Sequence, residues 1–220
     1  MNDTIGCVIP VYNHFDRVGE IVPIITRYIP SSAIVIVDDG SKESYHKENM
    51  MKGEMINIIR HSQNMGKGAA LKTGMHWLQD NGFSQALCLD ADGQHDPDDI
   101  PKFIQLAGKA DIIIGNRMKD LSTMPFHRRV SNLLTSAFIR RKSHLPVKDS
   151  QNGFRLVNIA KILSLDLSAS GFQFESEMLI LAGKNGFSLL NVPVKTLYND
   201  APSSINHLAD TYKFIRLMLK

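Results

Sequence analysis

The 220-residue chain has two cysteines, one tryptophan and no long apolar run. A membrane-spanning helix needs about 20 consecutive apolar residues, and no stretch approaches that length. The N-terminus, MNDTIGCVIP, lacks the basic and apolar regions of a secretory signal, so a soluble cytoplasmic protein is expected. Cys7 and Cys88 sit inside apolar, strand-like runs with no CxxC partner; they read as reduced core residues and argue against a disulfide framework or zinc site. An excess of one charge is also missing. With 25 basic and 22 acidic residues the formal net charge is +3, too small to argue for nucleic acid. What is present is ordinary globular composition, 43% hydrophobic and 21% charged, with no repeat, low-complexity tract or linker. One domain over residues 1–220 is expected.

Apolar runs and amphipathic stretches alternate along the first half. Strands are expected at Thr4–Ile9, Ala33–Val37, Met55–Ile59, Ala86–Leu89 and 111–114, with helices at 15–28, 69–80 and 98–107. Fully apolar strands alternating with helices predict an α/β fold, a mostly parallel, doubly wound sheet with helices on both faces. Each strand ends in polar or glycine-containing residues: Tyr12-Asn13, Asp38-Asp39-Gly40-Ser41, Asp90-Ala91-Asp92 and Asn116-Arg117. In such a sheet ligands bind outside the carboxyl ends of the strands, so these sets should converge.

The most informative of them is LDADGQHDPDDIP, residues 89–101. Asp90 and Asp92 are one residue apart at a strand end, where an extended backbone would turn both carboxylates to one side. A hard divalent cation, Mg²⁺ or Mn²⁺, takes such oxygen ligands and completes its shell with water and substrate phosphates. Gln94, next in the alternation, adds a carbonyl oxygen. A solvated acidic loop is the structural alternative for the Asp-x-Asp alone.

Beyond Arg117 the texture changes. Residues 124–148 set Arg128, Arg129, Arg140, Arg141 and Lys142 at the ends of a helical stripe of Val130, Leu133, Leu134, Ala137 and Phe138. Such a stripe is expected to lie against the core. The alternative is a basic amphipathic element that touches an anionic membrane surface or grips a phosphorylated acceptor. A polar turn, Lys148-Asp149-Ser150-Gln151-Asn152-Gly153, runs into a strand at Phe154-Arg155-Leu156. Phe172-Gln173-Phe174-Glu175-Ser176-Glu177 opens a helix with two glutamates in its first turn, where acidic residues favour the helix dipole. A strand at 187–195, a polar loop with Tyr198, Ser203 and Ser204, and a helix from Ile205 complete the chain.

Taken in order, VIPVYN, VDDGS, NMGKGAALKTG, LDADGQHDP, GNR, DSQNGFRL and FQFESEML resemble the family 2 glycosyltransferases of the GT-A fold, and within them the polyprenyl-phosphate (dolichyl-phosphate) mannose and glucose synthases. The resemblance spans about residues 4–198. It implies inverting transfer of a sugar from a nucleoside diphosphate sugar with a divalent metal on the diphosphate. Residues 1–117 would form the nucleotide-sugar half and 118–220 the acceptor side. By resemblance, Pro10, Tyr12, Asn13 and Asp38 or Asp39 would contact the nucleoside, and Lys67 the donor's charge. Asp92 with Gln94 would hold the metal. Asp90, with Ala91 beside it, would hold ribose or metal, and Arg117 would face the diphosphate. For a hydroxyl acceptor, Glu175 or Glu177 would take the proton. A lipid phosphate needs no strong base, and Arg128, Arg129, Lys148, Asp149, Gln151 and Arg155 would then matter on the acceptor side.

Where those synthases carry an arginine and then Gly-x-Ser-Lys, this chain has Tyr198-Asn199-Asp200-Ala201-Pro202-Ser203-Ser204-Ile205, with His207 as the nearest substitute. Membrane attachment would come from the basic helix, from a partner subunit, or not at all. Two other functions share part of the pattern. A sugar nucleotidyltransferase begins with a similar strand but needs a glycine-rich, Arg- and Lys-bearing loop, which VIPVYNHFD is not. A non-catalytic nucleotide-sugar-binding subunit would not need the whole ordered set.

Overall fold

The computed structural model describes residues 4–13, 15–42, 56–118, 126–171 and 173–195. Tyr198, Ser203, Ser204, His207, the helix expected from Ile205 and the side chain of Arg128 lie outside the described residues.

The strands form at short, mostly apolar runs, richest in β-branched residues at 5–11, 34–38 and 112–116. They are β1 (Ile5–Val11), β2 (Ile34–Asp38), β3 (Asn57–Arg60), β4 (Gln85–Cys88), β5 (Ile112–Asn116), β6 (Arg155–Asn158) and β7 (Leu189–Pro193). Helices α1 (Phe15–Ile25), α2 (Lys67–Asp80), α3 (Ile100–Ile104), α4 (Phe126–Ser143), α5 (Ile159–Leu163) and α6 (Gln173–Lys184) connect them. Among the described residues one sheet has the order β3-β2-β1-β4-β6-β5-β7. Side chains alternate across it, as the pleat requires. Val8, Val35 and Val37 face one layer with α2 and α6, and Cys7, Ile9, Ile34 and Ile36 face the other with α1 and α3.

The expected mixed, mostly parallel sheet is present, and the exception positions the site. β6 runs antiparallel to both β4 and β5, with Cys88 and Ile114 opposite Arg155. Its amino end therefore meets the carboxyl ends of its neighbours, and residues 149–154 arrive at the ligand edge of the sheet. The chain also reverses its direction of strand addition between β1 and β4, with β2 on one side of β1 and β4 on the other. That is the topological switch point, where a crevice opens.

Several boundaries differ from the sequence expectation. α1 stops at Ile25 rather than residue 28, with Pro23 inside it. The expected helix 98–107 is a 3-10 turn, Pro97–Asp99, followed by the short α3; Asp96 caps the turn by accepting from the Asp98 amide. β4 ends at Cys88, so Asp90 and Asp92 are not on a strand; residues 91–93 form a turn around Gly93, whose φ is 72°.

Candidate active site

The floor of the crevice is assembled from the ends of β1 and β2. Tyr12 is exposed, and Asn13 takes a left-handed backbone, φ 60°, that asparagine tolerates. The Asn13 amide donates to Ser41 Oγ, and Asn13 Oδ1 accepts from the Lys42 amide, both at 2.9 Å, so the two loops are stapled together. Asp38 and Asp39 are both buried but differ in commitment. Asp39 accepts from the Met65 and Gly66 amides and lies 2.7 Å from His61 Nδ1, holding the 61–66 loop. Asp38 Oδ1 accepts from the Ser41 amide, while its Oδ2 is buried without a hydrogen bond, 3.5 Å from Arg60.

The Asp-x-Asp residues lie in a turn and not on an extended strand. Asp92 Oδ1 accepts from the Gln94 amide, an Asx-type turn, and Asp92 stays partly exposed. Asp90 is held from three sides. Lys67 Nζ lies 2.7 Å from its Oδ1, its amide donates to His95 Nδ1, and a side chain at Gly153 would collide with its Oδ2. Lys67 also reaches Glu175 Oε1 at 3.3 Å, so one ammonium bridges the Asp90 carboxylate and the first turn of α6. Burial alone would lower the Lys67 pKa, but the charges of Asp90 and Glu175 override it and raise it. Burial likewise opposes ionisation of Asp90, while Lys67 and His95 hold its carboxyl below the ordinary value. His95 is buried against the Phe154 ring, and burial keeps its pKa low despite Asp90 and Asp92 nearby. Its Nδ1 accepts a hydrogen bond, which leaves the proton of the neutral ring on Nε2.

The amino end of α2 is less open than a phosphate site would be. Ser170 O accepts from the Ala69 amide, and Gly66, at φ 97°, is required because a Cβ there would meet that same carbonyl. Ser170 and Gly171 thus lie against the helix start.

Arg117 follows β5, and its backbone N, Nε and Nη2 all donate to Asp149, at 3.1, 2.8 and 2.9 Å. Asp149 is fully buried and serves Arg117, not an acceptor. Burial would raise its carboxyl, but the Arg117 guanidinium and the Asn132 amide hold it below the ordinary 3.8. A depressed folded-state pKa contributes stability above the unfolded value, about 3.9, that is lost as pH falls through the folded value. Thermal unfolding across pH should therefore show Asp149→Asn less stable than the parent at neutral pH, with the gap closing as pH falls below about 4 and through the depressed folded-state value.

Three expectations for the acceptor side and the base are corrected. Arg155 is not presented to an acceptor: it is buried, and its Nε, Nη1 and Nη2 donate to the carbonyls of Asn152, Glu175 and Ser150 at 2.7, 3.2 and 2.7 Å. Glu177 is not open to a substrate, because its Oε1 accepts from Ser168 Oγ at 2.6 Å and its Oε2 from the Ala169 amide at 2.8 Å. It ties the 164–171 loop to α6. Glu177→Gln should keep transfer activity within about threefold and lower stability by about 1 kcal/mol, since one charge-assisted bond weakens; kcat and a urea titration check both. The third concerns α4, whose expected buried stripe is turned outward. Val130, Leu133, Leu134 and Ala137 are exposed, Phe138 is half-buried, and the inner face is Asn132, Ser136, Ile139 and Ser143. Arg129, Arg140, Arg141, Lys148 and Gln151 are at the surface.

Residue patterns give no sign of the Asp39–His61–Thr73 contact, the Asn132 and Ser136 pair, Ser168 on Glu177, or Ser170 over the start of α2. His95 was legible in principle as a histidine three residues after Asp92.

Among the described residues no cluster of three or more His, Cys, Asp or Glu could hold a metal by itself. One or two carboxylates with a neighbouring amide oxygen is a donor set that fits a cation whose remaining ligands come from a substrate diphosphate. Among the described residues, no helix is long and apolar enough to cross a membrane.

Comparisons with known proteins give the family and the fold. Residues 7–162 match the family model described as Glycosyl transferase family 2. The UDP-N-acetylglucosamine–dolichyl-phosphate N-acetylglucosaminyltransferase of Methanococcus voltae is 33% identical over 217 residues, covering 88% of this chain and 85% of that protein. The polyprenol monophosphomannose synthase of Mycolicibacterium smegmatis is 27% identical, covering 85% of this chain and 75% of its own length. Among solved structures, glucosyl-3-phosphoglycerate synthase from Mycobacterium tuberculosis, in complex with Mn²⁺, UDP and glucosyl-3-phosphoglycerate, superposes with a TM-score of 0.69 at 15% identity, over 99% of this chain and 78% of that one. The sheet order, the switch-point crevice and the family match lead to one conclusion: the chain belongs to glycosyl transferase family 2, and it is a glycosyltransferase of the GT-A fold.

Proposed function

We propose that the enzyme transfers a sugar from a nucleoside diphosphate sugar to a polyprenyl phosphate, with Mg²⁺ or Mn²⁺ on the diphosphate. The observation that carries this reading is the contrast within the Asp-x-Asp turn. Asp90 is held by Lys67, whereas Asp92 is bonded through Oδ1 to the neighbouring Gln94 amide and stays partly exposed. Asp92 and Gln94, with Asp90 behind them, would hold the cation, which supplies screening of the negative charge that builds on the departing diphosphate. Arg117, fixed by Asp149, would add its always-charged fork to the same leaving group. Tyr12 and Pro10, at the end of β1, would flank the base, and Asp38 retains an acceptor oxygen for the nucleoside.

The acceptor follows from the glutamates and from α4. Glu177 is tied to Ser168 and Ala169, and Glu175 is paired with Lys67, so each carboxylate already has a partner. A lipid phosphate attacks with an oxygen that is already anionic and asks for no such base. An exposed apolar stripe flanked by Arg129, Arg140 and Arg141 suits the surface of an anionic membrane that carries such an acceptor. The relatives from Methanococcus voltae and Mycolicibacterium smegmatis are named for dolichyl-phosphate and polyprenol transfer.

Thermal shifts with a panel of UDP- and GDP-sugars, with and without Mn²⁺, test the donor half: at least one donor should stabilise the protein, and only with metal. No stabilisation by any donor removes it. The membrane half is tested by vesicle flotation of Leu133→Asp/Leu134→Asp. Binding to anionic vesicles should fall by about tenfold or more, given the apolar area withdrawn from lipid; unchanged flotation contradicts this role for α4.

A further inference from the structure

α4 is built the wrong way round for a helix on a soluble domain. Its exposed positions include Leu134 at 68% and Leu133 at 48%, while Asn132, Ser136 and Ser143 are buried at helical spacing. Polar side chains buried in this way stabilise only when fully bonded, and then they fix one geometry. Here the bonds form a single chain. Ser136 Oγ donates to Asn132 Oδ1 at 2.8 Å, which sets the orientation of the Asn132 amide. Asn132 Nδ2 then donates to Asp149 Oδ1 at 2.7 Å. Asp149 in turn receives Arg117 N, Nε and Nη2. Ser136 also accepts from the Ser150 amide at 2.8 Å, so the same helix face holds the first two residues of the 149–155 segment, and the Ser150 carbonyl receives Arg155.

The geometry points to Asn132 and Asp149 as positioning residues for Arg117: α4 sets the direction of the arginine through the ordered chain Ser136, Asn132, Asp149, Arg117. The inference rests on the reading of Arg117 as the diphosphate-facing arginine. Asp149 supplies two oxygens to a guanidinium fork. A bidentate carboxylate fixes that fork in its own plane, and Asn132 fixes the plane. Without Asn132 the carboxylate keeps its charge and its attraction for Arg117 but gains freedom to rotate. The arginine would still meet the donor, yet it would be misplaced when charge develops on the leaving group. Such a fault lowers kcat and leaves donor KM nearly unchanged. It also joins two functions in one helix, because the element that presents Leu133 and Leu134 outward is the element that braces Arg117 inward.

The test uses the full chain and has two readouts. The first is the ¹⁵N–¹H signal of Arg117 Nε, assigned by its loss in Arg117→Lys, and it needs no substrate. The second is the split between kcat and donor KM. Asn132→Leu, close in volume but unable to donate, should speed solvent exchange of the Arg117 Nε–H by about tenfold and lower kcat by about tenfold, with donor KM within about twofold. Ile139→Val, buried on the same helix face, should lower Tm while moving neither readout. If Asn132→Leu does not fold, Ser136→Ala should move both readouts in the same direction by a smaller factor. An unchanged Nε–H signal and an unchanged kcat in a folded variant would overturn the inference. Should the parent protein transfer no sugar, the proposed function fails, and the Nε–H signal still decides the brace.

Discussion

Replacing Asp92 by alanine is expected to reduce sugar transfer by about 10³-fold, equivalent to about 4 kcal/mol of transition-state stabilisation. The same change should abolish the metal-dependent part of the thermal shift produced by the donor. The fold should survive, because Asp92 is partly exposed and the hydrogen bond it makes is to the neighbouring Gln94 amide in a surface turn. A stability loss of about 1 kcal/mol or less is anticipated from that bond. Asp90→Ala should behave differently. It would leave the Lys67 ammonium with Glu175 alone and open space beside Gly153, so stability and activity fall together. Unfolding curves beside initial rates separate the two roles.

Arg155→Met should cost about 3–5 kcal/mol, the largest stability effect among the substitutions considered. The guanidinium is buried and donates to the Asn152, Glu175 and Ser150 carbonyls, which would be left short of a partner in the interior. Its charge also offsets Asp90 across the same cluster. At roughly 2–4 °C per kcal/mol for a chain of this size, Tm should fall by about 10 °C. An arginine that bound an acceptor phosphate would give the opposite pattern, with Tm retained and acceptor affinity lost. Differential scanning calorimetry alongside acceptor titration distinguishes these outcomes.

The polar strand ends were legible because their signals are local. An apolar run of strand length followed by Asp-Asp-Gly-Ser or Asn-Arg carries its own period and its own turn, and the doubly wound topology then sends all such ends to one edge. The Asp-x-Asp pair is legible as residues beyond a strand end, but its local geometry is not: the motif predicts an extended segment, whereas Gly93 at φ 72° closes a turn and the Asx bond of Asp92 shapes the loop. The failures were non-local. No periodicity distinguishes a parallel β6 from an antiparallel one, and that orientation carries Gly153 against Asp90 and buries Arg155. The reading of α4 assumed that an apolar stripe faces the core. It faces outward, and the inward positions are taken by Asn132 and Ser136, which bond Asp149 and Ser150. Glu177 looked like a base at a helix start, and nothing in the sequence places Ser168 and the Ala169 amide in reach of it.

The joint claim of metal, donor and lipid acceptor meets its most direct test in a two-phase transfer assay. Sugar-labelled UDP and GDP donors are incubated with the protein, Mn²⁺ and polyprenyl phosphate, and the label entering the organic phase is counted. The account predicts label in that phase from at least one donor, lost on chelation and reduced by about 10³-fold in Asp92→Ala. Label that stays in the aqueous phase with every donor, or that reaches the lipid equally well without metal and with Asp92→Ala, would contradict it.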